Sequence, residues 1–169
     1  MQGFSLHFIF VYDILKVGNY GKKWEVGDNM FIGEYNHNMD DRGRLSIPSN
    51  FKEELGEKIV IAKGLESCLY VYKLSEWDKL VEKISNLSFT KKSNREFSRM
   101  FLSGAYVNDI DIKGRVNIDK KLIDYAKLSK ECTVIGSGNR IEIWDKESWN
   151  NYYNEHEQIL EDISEELDL

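Results

Sequence analysis

The sequence predicts a mixed α+β fold built from two tandem pseudo-symmetric halves and decorated by helices. Three observations predict it. The pentad Asp-x-(Lys/Arg)-Gly-Arg occurs twice, as Asp40-Asp41-Arg42-Gly43-Arg44 and as Asp111-Ile112-Lys113-Gly114-Arg115. Around it the chain repeats at an offset of 71, pairing Gly33 with Gly104, Tyr35 with Tyr106, Met39 with Ile110 and Ile47 with Ile118. After a slip of one residue the offset of 72 pairs Lys58 with Lys130, Gly64 with Gly136, Tyr72 with Trp144 and Trp77 with Trp149. A fixed period of this kind marks duplicated supersecondary units, and each unit here reads strand, pentad turn, strand, short helix, strand, strand, helix.

Residues 1–29 have no counterpart in either unit. The apolar stretch Phe4 to Leu15 lacks a basic leader and a small-residue cleavage site, contains Asp13, and is too short to span a bilayer. The codons for Trp24-Glu25-Val26 permit a purine-rich GGGAGGT just before the Met30 codon, so translation is expected to start at Met30, with residues 1–29 an extension upstream of the true start. The alternative is a short apolar arm packed on the barrel or on a neighbouring subunit.

In the first unit, Gly33 to Met39 alternates as a strand with Tyr35, His37 and Met39 on one face. Asp first and Gly fourth suits a type I turn, the carboxylate accepting nearby N–H groups and Gly43 taking positive φ. After each pentad, Leu45, Ile47 and Val116, Ile118 point one way, while Arg44, Ser46 and Arg115, Asn117 point the other. Pro48-Ser49-Asn50 opens a helix with Asn50 and Glu53 at capping-box spacing, Phe51 and Leu55 inward and Gly56 as terminator. Lys58 to Ala62 and Cys68 to Lys73 read as strands around Gly64, and Ser75 as the cap of a helix with Trp77, Leu80, Val81, Ile84 and Leu87 on its core stripe.

Thr90 to Ser103 reads as an amphipathic connecting helix with Lys91, Lys92, Arg95 and Arg99 on one side and Phe97, Met100 and Phe101 on another. In the second unit Asp119 caps a helix with Leu122, Ile123 and Ala126 inward, and Cys132 to Ile135 and Arg140 to Trp144 form strands around Gly136 and Gly138. Asp145 caps a last helix bearing Trp149, Tyr152, Tyr153, Ile159 and Leu160, which thins into a solvated tail, Glu161 to Leu169. The organisation is therefore 1–29 extension, 30–87 first repeat, 88–103 connecting helix, 104–153 second repeat and 154–169 acidic tail.

The chain's 169 residues, 41% of them hydrophobic, suffice for a buried core. Cys68 and Cys132 fall at non-equivalent places within apolar runs, which reads as two reduced, packed thiols rather than a disulfide framework or a CxxC metal site. Net charge is −6, but residues 154–169 hold seven acids and no Lys or Arg, and the repeat region keeps 20 basic against 19 acidic residues. An acidic tail beside a locally basic surface is compatible with a nucleic-acid partner, since local potential governs binding. His7, His37 and His156 are scattered, and no nucleophile elbow, Walker A or dinucleotide fingerprint occurs. Asp40 and Asp41 could bind a cation, but turn formation accounts for Asp40 and solvent for Asp41. No metal, no cofactor, no small-molecule substrate and no enzymatic activity are expected.

With Met30-Phe31-Ile32-Gly33, the run Gly43-Arg44-Leu45-Ser46-Ile47-Pro48 and the closing Glu142-Ile143-Trp144-Asp145, the paired pentads resemble those of the MraZ family, relatives of the AbrB and MazE type DNA-binding proteins, from Met30 to about Leu169. The resemblance implies an AbrB-like swapped-hairpin (double-split) β-barrel in which each half lends strands to the other. It further implies a cytoplasmic, nucleoid-associated transcriptional regulator that assembles as a homo-oligomeric ring on short direct repeats of double-stranded DNA in the promoter of its own division and cell-wall gene cluster. Matching residue by residue, Arg42, Arg44, Lys113 and Arg115 are the expected DNA contacts, Arg suiting guanine O6 and N7 and Lys suiting phosphate. Asp40, Gly43, Asp111 and Gly114 are the turn formers. Arg42 stands where Lys is common, which preserves charge. The alternatives are an antitoxin-like or adaptor module that uses the same barrel to bind a protein, and an enzyme with an unfamiliar site.

Overall fold

The structure is a computed structural model that describes residues 30–157 and 159–167. The start site and the apolar arm proposed for residues 1–29 lie outside the described residues. The first unit supplies β1 (Phe31–Asn38), β2 (Arg44–Ser46), α1 (Ser49–Leu55), β3 (Lys58–Lys63), β4 (Leu69–Lys73) and α2 (Leu74–Ser85). Then come α3 (Lys92–Ser103), β5 (Tyr106–Asp109), β6 (Arg115–Asn117), α4 (Lys120–Tyr125), β7 (Glu131–Gly138), β8 (Ile141–Asp145), α5 (Lys146–Glu157) and α6 (Leu160–Glu166).

Six strands form one antiparallel sheet in the order β1-β7-β8-β4-β3-β5, and β2 pairs with β6 in a separate two-stranded ribbon. Exchanging each strand for its equivalent in the other unit reverses that order onto itself, so the repeat in sequence is a pseudo-twofold in space. The first strand of each unit leaves its own half: β1 pairs with β7 from Phe31 opposite Gly138 to Asn38 opposite Glu131, and β5 pairs with β3 from Lys58 opposite Asp109.

The sheet is buried on both faces. Leu69, Val71, Ile141, Ile143 and Val134 meet Leu45, Ile47, Val116, Ile118 and Leu122 beneath the ribbon. Tyr70, Tyr72 and Trp144, next in line on the same strands, meet Ile84 and Phe101 beneath the helices. The period-two alternation of β4 and β8 thus feeds two cores, with the ribbon on one side and α2, α3 and α5 on the other.

The barrel expected from sequence is not closed. Among the described residues β1 and β5 are the edges of an open sheet, each paired on one side only. The pentads explain this: Asp40 Oδ1 accepts the Arg42 and Arg44 N–H groups, so the backbone donor that would extend a ladder at Arg44 is spent inside the turn. Beyond the pentads the arms share, among the described residues, only the bridge between Ile110 and Val116 in the second turn, and β2 pairs with β6 instead of β1.

Two caps differ from expectation. No side chain caps α1: the helix starts at Ser49 after Pro48 at φ −51°, which places Asn50 inside its first turn, where its Nδ2 donates to the Tyr35 hydroxyl at 2.8 Å. Ser75 lies inside the first turn of α2, which runs on directly from β4 without a side-chain cap. Gly56 ends α1 at φ 78° as expected, and Asp119 accepts from Lys121 N–H at 2.8 Å. Asp145 Oδ1 accepts the Glu147 and Ser148 N–H groups at 3.1 and 3.2 Å. Beyond α5 the acidic segment carries the short helix α6, on which Leu160 is exposed.

Candidate nucleic-acid interface

Each pentad is a closed unit held by its own aspartate. Gly43 N–H donates to Asp40 O at 2.9 Å, Asp40 N–H to Arg44 O at 2.9 Å, and Gly43 has φ 75°, which makes a three-residue loop whose glycine takes the left-handed position. The second pentad repeats this with 2.8 Å bonds from Gly114 N–H to Asp111 O and from Asp111 N–H to Arg115 O, and with Gly114 at φ 76°. The carboxylate then grips the closing arginine. Arg44 Nε and Nη2 each lie 2.7 Å from Asp40 Oδ2, and Arg115 Nε and Nη2 lie 2.9 and 2.8 Å from Asp111 Oδ2. The Arg44 side-chain bond is the main reason that the Asp40 carboxyl sits at about 2 instead of 3.8, and Asp111 is lowered for the same cause.

This grip aims the guanidiniums. In the ribbon Arg44 stands opposite Asn117, Leu45 opposite Val116 and Ser46 opposite Arg115. Leu45 and Val116 are fully buried, so Arg44, Ser46, Arg115 and Asn117 share the outer face, with the two arginines on its diagonal. Diagonal neighbours of an antiparallel pair lie roughly 7–8 Å apart. Nε and one Nη2 hydrogen of each arginine are spent on aspartate, and the remaining donors form a second edge free to fork onto an acceptor pair. Arg42 and Lys113 are exposed at the turn tips, and Asp41 is exposed as well.

The two turns are tied together. Ile47 N–H donates to Gly114 O at 2.8 Å and Ile118 N–H to Gly43 O at 2.9 Å, so each turn is braced by the strand that follows the other. Sequence reasoning missed Lys52, whose stem lies beside Gly114: a Cβ there would sit 3.3 Å from Lys52 Cδ. The same place at Gly43 is filled by Ile123. The offset of 71 that pairs Lys52 with Ile123 was the available signal. The tips differ too, since Ile112, 96% exposed, stands where the first turn has Asp41.

The other groups weighed from sequence are placed elsewhere. The connecting helix α3 packs in the helical layer, across the sheet from the ribbon, so Lys91, Lys92, Arg95 and Arg99 do not join the pentad surface. Asp40 commits both oxygens to its turn. His37 is half-buried on β1 beside Tyr35 and Met39 in the alternation, His156 stacks on Tyr152 at 4.0 Å, and His7 lies outside the described residues. The Glu142-Ile143-Trp144-Asp145 run has a structural role: Glu142 accepts from Arg140 Nη2 at 2.7 Å and from Trp144 Nε1 at 3.0 Å, and Arg140 caps the Tyr70 ring at 4.3 Å. Cys68 and Cys132 are buried free thiols. No described helix is long and apolar enough to cross a membrane.

A protein-family model described as "MraZ protein, putative antitoxin-like" matches the chain twice in tandem, over residues 30–100 and residues 101–169.

Proposed function

Since this chain belongs to the MraZ family, we propose that it is a sequence-specific DNA-binding transcriptional regulator that acts on short direct repeats upstream of its own division and cell-wall gene cluster. The observation that carries the reading is the ribbon face, where Arg44 and Arg115 project side by side from a two-stranded antiparallel pair, each held by its own aspartate. A two-stranded β-ribbon is one of the elements that B-DNA's major groove admits, and a fixed guanidinium edge suits guanine O6 and N7. Arg42 and Lys113 at the tips are suited to the flanking phosphates. One chain offers a small cationic face. Repetition in a homo-oligomeric ring multiplies it over successive DNA repeats, and in that form the protein associates with the nucleoid.

The exchange of β1 and β5 between halves is the pairing that a swapped-hairpin, AbrB-like unit requires, and we read the fold in that sense. The family description favours a second reading, an antitoxin-like module that binds a protein on the same surface. Footprinting on DNA upstream of the chain's own gene separates the two. Protection of spaced repeats by the parent, lost when both Arg44 and Arg115 are replaced by alanine, is the result expected. Unprotected DNA at low salt would leave only the protein-binding reading.

A further inference from the structure

The two pentads share a backbone but not a tip. Ile112 is 96% exposed, the most exposed of the large apolar side chains among the described residues, and stands where the first turn carries Asp41. A single exposed apolar side chain is ordinary on a protein surface. This one, however, is held out by a closed turn: Lys113 and Arg115 N–H both donate to Asp111 Oδ1 at 2.9 Å, and Gly114 N–H donates to Asp111 O at 2.8 Å. Folding does not ask for isoleucine there, since Asp40 makes the same set of bonds with Asp41 at the equivalent place.

The surroundings of that tip are cationic. Lys113 follows it, Arg115 projects from the same turn onto the outer face of the ribbon, and the Lys52 stem lies against Gly114. Ile112 also lines a groove of about 850 Å³ beside α1, with Glu53, Glu57 and Asp109. Those carboxylates repel a phosphate backbone, so the groove is no seat for a duplex, and what Ile112 offers to DNA is the tip that it shares with Lys113. The two turns stand at opposite ends of the ribbon, because Gly114 O bonds Ile47 N–H just past β2 and Gly43 O bonds Ile118 N–H just past β6. One chain thus presents a face with two arginines at its middle, a carboxylate at one end and a branched apolar side chain at the other.

We infer that Ile112 is a specificity-determining contact to DNA, its side chain packing on the C5-methyl group of a thymine in the major groove near the base that Arg115 reads. The inference rests on the DNA-reading function proposed above. Thymine is the base that offers an apolar group at its major-groove edge, and a side chain with neither donor nor acceptor separates it from cytosine, which presents an N4 amino group instead. Being β-branched and set on a closed turn, Ile112 has little freedom to lose when the contact forms. Asp41 makes no such contact, so the two ends of the face ask for different base pairs.

Uracil in place of thymine removes the methyl group and keeps every hydrogen-bonding group. Duplexes of the chain's own upstream DNA with thymines replaced by uracil one at a time therefore test the contact, read by mobility shift with the full chain and with thermal melts of the variant. The parent is expected to bind about fourfold more weakly when the contacted thymine is replaced, the fold-change to which a lost methyl contact of about 0.8 kcal/mol corresponds. Ile112→Ala, at a position outside both cores, is expected to melt like the parent, to bind the thymine duplex more weakly and to show no uracil penalty at that position. A parent that uracil weakens nowhere overturns the inference, as does a penalty that persists undiminished in Ile112→Ala. An Ile112→Ala chain that binds the thymine duplex as the parent does overturns it too and leaves the apolar tip to a protein partner. Those outcomes leave the regulator reading standing, whereas a parent that binds none of the duplexes at low salt overturns both.

Discussion

Arg44 Nε lies 2.7 Å from Asp40 Oδ2, while the other oxygen of that carboxylate accepts the backbone N–H groups of Arg42 and Arg44. One aspartate therefore shapes the turn and aims its cation. The same geometry at Asp111 and Arg115 gives the ribbon two arginines with fixed orientation rather than two mobile charges.

Replacing that aspartate sets two effects against each other. Asp40→Asn with Asp111→Asn removes negative charge near the cationic face, which by Coulomb attraction alone strengthens binding to any DNA. It also releases the arginines from their fork. The expected outcome is tighter or unchanged binding to random DNA with weaker binding to the promoter, so that the ratio of the two falls. Competition mobility shifts measure that ratio, and an unchanged ratio would show that orientation by aspartate contributes nothing.

The turns also carry a pH signature. The Asp40 carboxyl is lowered to about 2 from 3.8, chiefly by its bond from the Arg44 side chain. A carboxyl lowered by folding contributes stability that is present above its unfolded value and disappears as pH falls through the folded one, so the contribution is lost between about pH 4 and about pH 2. Asp111, also lowered, acts in the same direction. Carboxyl-carbon NMR should find Asp40 titrating near 2 in the parent and moving back toward 3.8 in Arg44→Ala. A midpoint that stays put in the variant would mean that the arginine is not what holds it.

Much of this site was legible in the sequence because it is local. Within five residues, Asp and Gly determine the turn, alternation determines which side chains face out, and duplication shows that the pattern is functional or architectural rather than accidental. Strand partners were not legible. Phe31 pairs with Gly138 and Lys58 with Asp109, and the alternation of a strand fixes which face is buried without naming its neighbour. The mixed α+β content was legible for the same reason, whereas the open edges at β1 and β5 were not. The capping box at Asn50 failed by a helix boundary: α1 already begins at Ser49, so Asn50 lies within the first turn instead of ahead of it.

The repeated glycine near the middle of each unit's strand pair is explained by close approach rather than by turning. An added Cβ on Gly136 would overlap the backbone of Phe31 and Ile32 on the adjacent edge strand. Gly136→Ala is expected to push β1 off β7 and to lower stability by about 1–3 kcal/mol or more, the range for overpacking. Chemical denaturation with amide exchange on Phe31 to Asn38 checks this, and a variant as stable as the parent with protected β1 amides contradicts it.

The thiols should be silent. Burial pushes the Cys132 thiol up to about 12 and raises Cys68 further, with nearby carboxylates adding to the effect. A thiol kept protonated and fully covered is a poor nucleophile. A chromogenic disulfide reagent at neutral pH should therefore detect no thiol in the folded described region and both in denaturant. Fast reaction of either in the native chain would mean that the cores beneath Leu69 and Tyr70 open on that timescale.

The arginines themselves decide whether the pentads are readers or only turns. Among the described residues Arg44 and Arg115 bond within their own turns, in partly exposed forks that solvent screens. Arg44→Ala with Arg115→Ala should therefore lower melting slightly, by the loss of those forks, and leave oligomer mass at the parent value. If each guanidinium's outer edge forks onto a base, each loss costs about 1–3 kcal/mol of promoter binding, multiplied around a ring. Arg42→Ala and Lys113→Ala act differently, because an exposed cation at a turn tip meets phosphate. They should weaken promoter and random DNA alike and flatten the dependence of affinity on salt by about one unit of slope per lost contact. A salt titration of all four variants on both DNAs separates the classes. Gly43→Val serves as the contrasting control, since a β-branched residue at φ 75° facing Ile123 and the Ile118 carbonyl should lower stability outright. Folded Arg44 and Arg115 variants that grip the promoter as the parent does would return the pentads to the role of braced turns and leave the ribbon face to a protein partner.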